Sequence, residues 1–411
     1  MQQVSRDLDT ASGLSGQPVS VLGAGIAGLA SALALARRGA AVSVLEQAPA
    51  LIEVGAGLQV SPNGARVLRA LGLGEALATT GLAAAAVELR DGFSGRQVLR
   101  LDLQGAAHAA GGGYFFVHRA DLVSLLLEAV IEAGVRVETA CRIERLDPGA
   151  MGVTLSSDNG RSREAALLVG ADGLHSVVRR RLDPEAQPFF TGQVAWRAVI
   201  PEQPGAPPVA QVFMGPGRHL VSYPLRGGRL RNLVAVEERA RWAEEGWHHQ
   251  DDPARLRAAF AAFGGPVPGW LAAVEEVFLW GLFRHEVARH WHGGRCVLVG
   301  DAAHPTLPFL AQGANMGLED AWVLAWALAR HASPEVAFAA YQAAREARVR
   351  RIVAAAQGNA RAYHLSGPTR WLAHRLLGLG GRLAPGFALQ RFDWLYGHDV
   401  TAACSDQRGT L

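Results

Sequence analysis

Apolar positions follow three different patterns along this chain, and each predicts a different kind of structure. From Val19 to Ala36 the sequence VSVLGAGIAGLASALALA is apolar throughout, long enough to be weighed as a membrane span. Gly23, Gly25 and Gly28 break that reading. They fall directly after the strand-like VSVL and open a helix expected to end near Gly39, and a second strand, AVSVLE, closes at Glu46. The run is therefore a strand, a glycine turn and a helix, not a spanning segment. Two later stretches repeat the design. LLVGADGLHSVVRRRL (Leu167 to Leu182) and CVLVGDAAHPTLPFLAQGANMGLEDA (Cys296 to Ala321) each run from an apolar strand into a Gly-rich acidic turn, at Asp172 and at Gly300-Asp301. Between Phe189 and Leu282 the pattern changes to short segments of β character, QVAWRAVI, AQVFMG, HLVSYPL, RNLVAVEE and VFLWGLF. They predict an antiparallel sheet. VELRDGFSGRQVLRLD, within Ala86 to Leu103, reads as a hairpin joining that sheet, and the C-terminal part is helical with breakers.

The glycines give the first unit its chemistry. A G-x-G-x-x-G turn between strand and helix permits a tight bend and a close backbone approach, so that a pyrophosphate can rest on the helix N-terminus. Glu46 stands 23 residues after Gly23, where a carboxylate accepts hydrogen bonds from a ribose. This unit alone leaves NAD and FAD open. Regular βα repeats do not follow it, and acidic turns at three strand ends suit one long cofactor. The fold class expected is α/β, a Rossmann-like cofactor domain with an inserted, mainly antiparallel substrate sheet and a C-terminal helical segment. Its parts are a discontinuous cofactor domain (18–80, 104–185, 283–330), a substrate domain (81–103, 186–282), a helical region (331–411) and a flexible N-terminus (1–17).

Composition narrows the functions. All 40 basic residues are Arg, which excludes mechanisms that need a Schiff-base or P-loop lysine. A net charge of +3 without a basic tract leaves no footprint for nucleic acid. The cysteines Cys141, Cys296 and Cys404 are scattered and odd in number, which fits a reducing, cytoplasmic setting. The polar residues before Val19 do not read as a signal peptide. His285, His290 and His292 lack the carboxylate spacing of a metal site, so no metal is expected. REARVRR (Arg345 to Arg351) reads as the solvated face of a helix.

The glycine motif with Glu46, the ADGLHSVVR run and the GDAAHPTLP run, in this order and over nearly the whole chain, resemble the class A FAD-dependent aromatic monooxygenases. QGANMGLEDA and WLYGHD are most similar to salicylate hydroxylase, 6-hydroxynicotinate 3-monooxygenase and 3-hydroxybenzoate 6-hydroxylase. The resemblance implies bound FAD, transient NADH or NADPH, O2, and hydroxylation of a phenolic or N-heteroaromatic ring through a flavin C4a-hydroperoxide. It implies that Glu46 holds the adenosine ribose and that Arg119 contacts FAD. Asp301, after Gly300, would bind the ribityl or pyrophosphate part, Asp172 would serve both FAD and the nicotinamide cofactor, and Pro308 would lie against the reactive edge of the flavin. The segment Gln312 to Asn315, with Gly313 and Ala314, is expected to be a loop whose backbone N–H groups and following helix dipole stabilise negative charge on the reduced flavin. Asp172 and Asp301 equally suit turn formation or helix capping.

His219 and Tyr223 lie four apart in GRHLVSYPL, so an extended strand points both to one face. There a histidine can take a proton from a substrate phenol and the tyrosine can orient it; a half-buried strand with both groups satisfied by backbone is the competing reading. The subgroup's catalytic His and Tyr resemble this pair. Gln59 and Phe309 are expected at the substrate pocket, Gln59 where 6-hydroxynicotinate 3-monooxygenase has a catalytic His. The C-terminal run from Arg370 is expected to cap the cofactor domain, with a membrane-surface or homodimer contact as alternatives. Two other functions are consistent with the motifs, an epoxidase or quinone-precursor hydroxylase of a lipophilic substrate, and a noncatalytic flavin-binding sensor.

Overall fold

The computed structural model describes residues 14–51, 57–103, 112–149, 151–240, 250–383 and 389–404. Of the expected flexible N-terminus, residues 1–13 lie outside the described residues.

A six-stranded sheet carries the first pattern, in the order His292–Gly293, Cys296–Leu298, Leu168–Gly170, Pro18–Leu22, Ala41–Leu45, Arg136–Glu138. Every pairing is parallel except the antiparallel edge strand His292–Gly293. Both faces of such a sheet are covered, which is why its strands read as unbroken apolar runs. The helix Ile26–Ala36 is buried along nearly its whole length, from Leu29 to Leu35. It ends at Ala36, and Gly39, at φ +90, belongs to the turn that follows. No helix among the described residues is long and apolar enough to cross a membrane.

The second sheet has eight strands in the order Gln250–Asp251, Val277–Arg284, Phe189–Pro201, Leu230–Glu238, Arg218–Leu225, Val209–Gly215, Ala86–Asp91, Gln97–Asp102. The hairpin joins it as the alternation predicts, through a parallel pairing of Ala86–Asp91 with Val209–Gly215. Period two then separates two cores. Trp196, Ile200, Phe213 and Leu220 face the helices Pro253–Ala259 and Val267–Ala272 with Phe260 and Phe263, whereas Ala195, Val234, Val236 and Leu282 face Leu307, Phe309 and Ala360. The second face brings the sheet against the loop that follows Gly300-Asp301.

Three expectations change. Gly313 to Asn315 are not a loop but the first turn of the helix Gly313–Arg330. The REARVRR segment is a solvated face only in part, at the exposed Arg350 and Arg351. Within the helix Pro334–Tyr363, Arg345 is fully buried between Glu319 and Asp320, and Arg348 bonds Glu319 and the carbonyls of Trp394 and Leu395. The C-terminal run does not form one cap over the cofactor domain. Gly367–Leu383 packs on the hairpin strand Gln97–Asp102, with Arg370 and His374 on Asp91, while Asp393–Tyr396 and Val400–Ala403 pack on the helix Pro62–Ala70.

Candidate active site

Adjacent parallel strands place their C-terminal ends side by side, so Pro18–Leu22, Leu168–Gly170 and Cys296–Leu298 deliver Gly23, Asp172 and Asp301 to one edge of the sheet. That edge opens on a cavity of about 600 Å³ whose walls include Gly23, Gly25, Glu46, Arg119, Asp172 and Asp301. The glycines serve different ends. A Cβ on Gly28 would lie 1.9 Å from the Gly23 carbonyl oxygen, and one on Gly23, itself at φ +103, would lie 2.5 Å from the Ala171 oxygen. These two permit backbone contact. A Cβ on Gly25 would meet no protein atom within 4 Å; it would project into open space at the cap of the helix Ile26–Ala36, the space a phosphate needs to approach the helix N-terminus.

Glu46 is pinned by two backbone donors. The Ala24 N–H donates to Oε2 at 2.7 Å and the Ala48 N–H to Oε1 at 2.8 Å, which fixes the carboxylate at the cavity wall and leaves lone pairs for hydroxyl donors. Asp172 accepts from the Ser176 hydroxyl (2.5 Å) and the Val177 N–H (2.7 Å), capping the helix Val177–Leu182 while lining the cavity. Burial pushes its carboxyl above the ordinary range. Asp301 faces the cleft and is reached by solvent from it, yet the surrounding protein strips enough water to push its carboxyl up, against the pull of His304 and Arg119. A half-buried arginine also lines this space. Arg197 stacks 4.3 Å over Trp280, its Nε has no hydrogen-bond partner among the described residues, and burial lowers its guanidinium to about 10.

The glycine-rich turn is held by a buried polar network. Asp320 accepts from the Gly300 N–H (2.9 Å) and Arg345 Nε (2.9 Å) and pairs with His304 (2.6 Å). Asn63 donates to Glu319 (2.6 Å) and Gln312 (3.1 Å). Pro308 begins the short 3-10 turn Pro308–Leu310, which Ala311 ends at φ +52 before the helix starts at Gly313. The side chain of Asn315 is committed to structure: Oδ1 accepts from the Ser61 N–H (3.0 Å) and Nδ2 donates to the Gln59 (3.0 Å) and Ala311 (2.8 Å) carbonyls. Small residues here also serve packing, because a Cβ on Gly300 or Gly317 would lie 2.7 or 2.9 Å from the Ala27 Cβ.

His219 and Tyr223 occupy the sheet face that meets this loop. The His219 ring is 5.1 Å from Phe309 and 5.3 Å from Tyr363. It is 1% exposed, and burial beside His364 holds its imidazole well below the ordinary range, hence neutral. Its Nδ1 lies 2.7 Å from His364 Nε2, and His364 Nδ1 lies 2.7 Å from Glu238 Oε1. Gln59 accepts from the Tyr114 hydroxyl at 2.6 Å and bonds Tyr223, whose phenol burial pushes up. Among the described residues, His219 and Tyr223 bond side chains, His364 and Gln59, and not backbone. None of Gln59, His219, Tyr223, Pro308, Phe309 or Gly313 to Asn315 lines the 600 Å³ cavity, which gathers the glycine-turn residues, Arg119 and the two aspartates instead. Arg197, His364 and Glu238 were missed by sequence reading; the alternation that puts Arg197 on the same face as Ala195 was the one available signal.

The chain matches known proteins along most of its length. The family described as FAD binding domain matches residues 17–356. A 3-amino-4-hydroxybenzoate 2-monooxygenase of Streptomyces platensis is 36% identical over 389 residues, covering 93% of this chain and 96% of the relative. A 3-hydroxybenzoate 6-hydroxylase of Polaromonas naphthalenivorans is 35% identical over 390 residues, covering 93% and 96%. Among solved structures, Klebsiella pneumoniae HpxO complexed with FAD and uric acid is 27% identical with a TM-score of 0.77, over 90% of this chain and 95% of that one. A salicylate hydroxylase substrate complex has the same fold, with a TM-score of 0.77 at 23% identity over 95% and 97% of the two chains.

Proposed function

The chain belongs to the FAD binding domain family, and we propose that its substrate is a small phenol whose proton His219 accepts. It is an FAD-dependent aromatic monooxygenase, as its relatives over nine tenths of its length are monooxygenases and hydroxylases of aromatic rings. The observation that carries the assignment of His219 is its position. It is a neutral, buried imidazole on the sheet face that meets Phe309, one residue from Pro308. A neutral imidazole is a proton acceptor, and an apolar enclosure strengthens its interaction with the phenol it would activate. FAD held here would supply the activated oxygen, with NADH or NADPH as the reductant and O2 as the source of the oxygen atom. Glu46 would hold the adenosine ribose. Gly23 and Gly25 would admit the pyrophosphate, and Arg119, Asp172, Gly300 and Asp301 would hold the remaining cofactor chain. Gly313, Ala314 and Asn315 would present their N–H groups to negative charge on the ring system, beside Pro308. Tyr223, fixed through Gln59 to Tyr114, would orient the substrate.

Anaerobic reduction of the FAD-loaded protein by NADH and by NADPH, with 3-hydroxybenzoate, 3-amino-4-hydroxybenzoate and a hydroxypyridine, tests the reading. One of these is expected to accelerate reduction and, in air, to yield hydroxylated product. Acceleration by none would favour a lipophilic substrate or a noncatalytic flavoprotein. His219→Ala is expected to keep FAD affinity while product formed per unit time falls about a hundredfold, the lower end of a general base's contribution. Undiminished product per NAD(P)H consumed, together with an undiminished rate, would remove His219 from the assignment.

A further inference from the structure

We propose that His364 and Glu238 form, with His219, a proton path from the buried sheet face at His219 to solvent, directed outward by the surface carboxylate. The proposal rests on the reading of His219 as the acceptor of the substrate's proton. His219 Nδ1 and His364 Nε2 are 2.7 Å apart, as are His364 Nδ1 and Glu238 Oε1. The His219 side is closed, at 1% exposure, and the Glu238 side is open, its side chain 54% exposed. The three residues come from neighbouring strands, Arg218–Leu225 and Leu230–Glu238, and from the end of the helix Pro334–Tyr363.

Donor and acceptor rules fix the direction. A carboxylate only accepts, so the proton between Glu238 and His364 resides on His364 Nδ1. A neutral imidazole with a proton on Nδ1 carries its lone pair on Nε2, so the next proton resides on His219 Nδ1. That leaves the lone pair of His219 on Nε2, which bonds no protein group among the described residues. One surface carboxylate thus sets the tautomer of a ring two hydrogen bonds away.

The transfer balances. The substrate's O–H bond breaks and an N–H bond forms at His219 Nε2. The Nδ1 proton of His219 passes to His364 Nε2, the Nδ1 proton of His364 passes to Glu238 Oε1, and water takes it from there. The path run inward returns a proton to the oxygen when the product phenol re-forms, and both tautomers are restored. Without such a path the proton would stay on an imidazolium among Phe309, Tyr363 and Val236, where desolvation opposes it. The groups acting on the two rings from every described element are few. His364 acts on His219, Glu238 acts on His364, and the Tyr363 phenol, pushed up to about 12, stays neutral. Arg218 and Arg239 are occupied by Glu237.

Nitrogen-15 spectra of the histidine-labelled, FAD-loaded full chain read the tautomers directly, with assignments from His219→Asn and His364→Phe. Both rings are expected to carry the proton on Nδ1; a proton on Nε2 of either would overturn the direction of the path whatever the protein hydroxylates. With 3-amino-4-hydroxybenzoate as probe, Glu238→Gln is expected to slow hydroxylation at least about tenfold in dilute buffer. FAD affinity should be unchanged, and the rate should recover as imidazole buffer is added. His364→Phe should give a similar loss, and the double variant no further one, because both interrupt one path. A Glu238→Gln enzyme whose rate, pH profile and buffer dependence match the parent would sink the relay while leaving the phenol hydroxylase intact. If the parent converts none of the phenols tested, the failure lies with the substrate assignment, and the tautomers still decide the path.

Discussion

Arg345→Ala is expected to lower the stability of the folded chain by about 3–5 kcal/mol, the cost typical of leaving buried charges without their partner, which is a large share of a domain's net stability. Arg345 is 0% exposed and sits between two carboxylates that are equally buried: its Nη1 is 2.5 Å from Glu319 and its Nε 2.9 Å from Asp320. These contacts, with Arg348 on Glu319 and His304 on Asp320, overcome burial and hold both carboxyls down to about 2. The sign follows from that depression. Carboxylates held below their ordinary values contribute stability that is fully present above about pH 4 and is lost as pH falls from there toward 2. The parent should therefore weaken steeply across that interval, whereas Arg345→Ala should already be weak at pH 7 and lose less on acidification. Urea unfolding at pH 7 and pH 3 measures both. The variant should also bind FAD poorly, because Asp320 holds the Gly300 N–H and Glu319 anchors Asn63, which in turn bonds Gln312. Equal urea midpoints for parent and variant at pH 7 would show that the network contributes little.

The same network shows what a sequence hides. Arg345 looked solvated because arginines crowd REARVRR, and its partners lie 25 residues or more away on another helix. Local features were legible. A strand, a glycine and an acid in immediate succession describe their own turn, so Gly23, Glu46, Asp172 and Asp301 could be read from neighbours, and they line one cavity. Period two placed His219 and Tyr223 on one face without knowledge of what that face meets. What it meets was not legible, since His364 is 145 residues from His219 and the Glu238 that orients it is 126 residues from His364. A residue with two uses was half-read. Asn315 reads as a backbone donor while its side chain ties the helix to Ser61 and Gln59.

Gly25→Val and Gly28→Ala separate binding from folding within one motif. Gly25 has φ −73, a conformation every residue adopts, and a Cβ there meets no protein atom within 4 Å. Gly25→Val should therefore fold with a thermal midpoint close to the parent's. Its side chain would occupy the space in front of the helix N-terminus and keep a phosphate from its backbone donors. Losing one hydrogen bond to a charged group costs about 1.5–3 kcal/mol, so the FAD dissociation constant should rise roughly 10- to 150-fold. Gly28→Ala should behave differently, because its Cβ would sit 1.9 Å from the Gly23 oxygen and 3.2 Å from the Ala171 Cβ. Strand, turn and helix must move apart to admit it, so the apoprotein itself should lose stability by about 1–3 kcal/mol, the usual cost of overpacking. FAD titration by flavin fluorescence, set beside thermal unfolding of the apoproteins, distinguishes the two. A Gly25→Val protein that binds FAD as tightly as the parent would mean that the cofactor does not pass over this turn, and would undo the placement of the pyrophosphate.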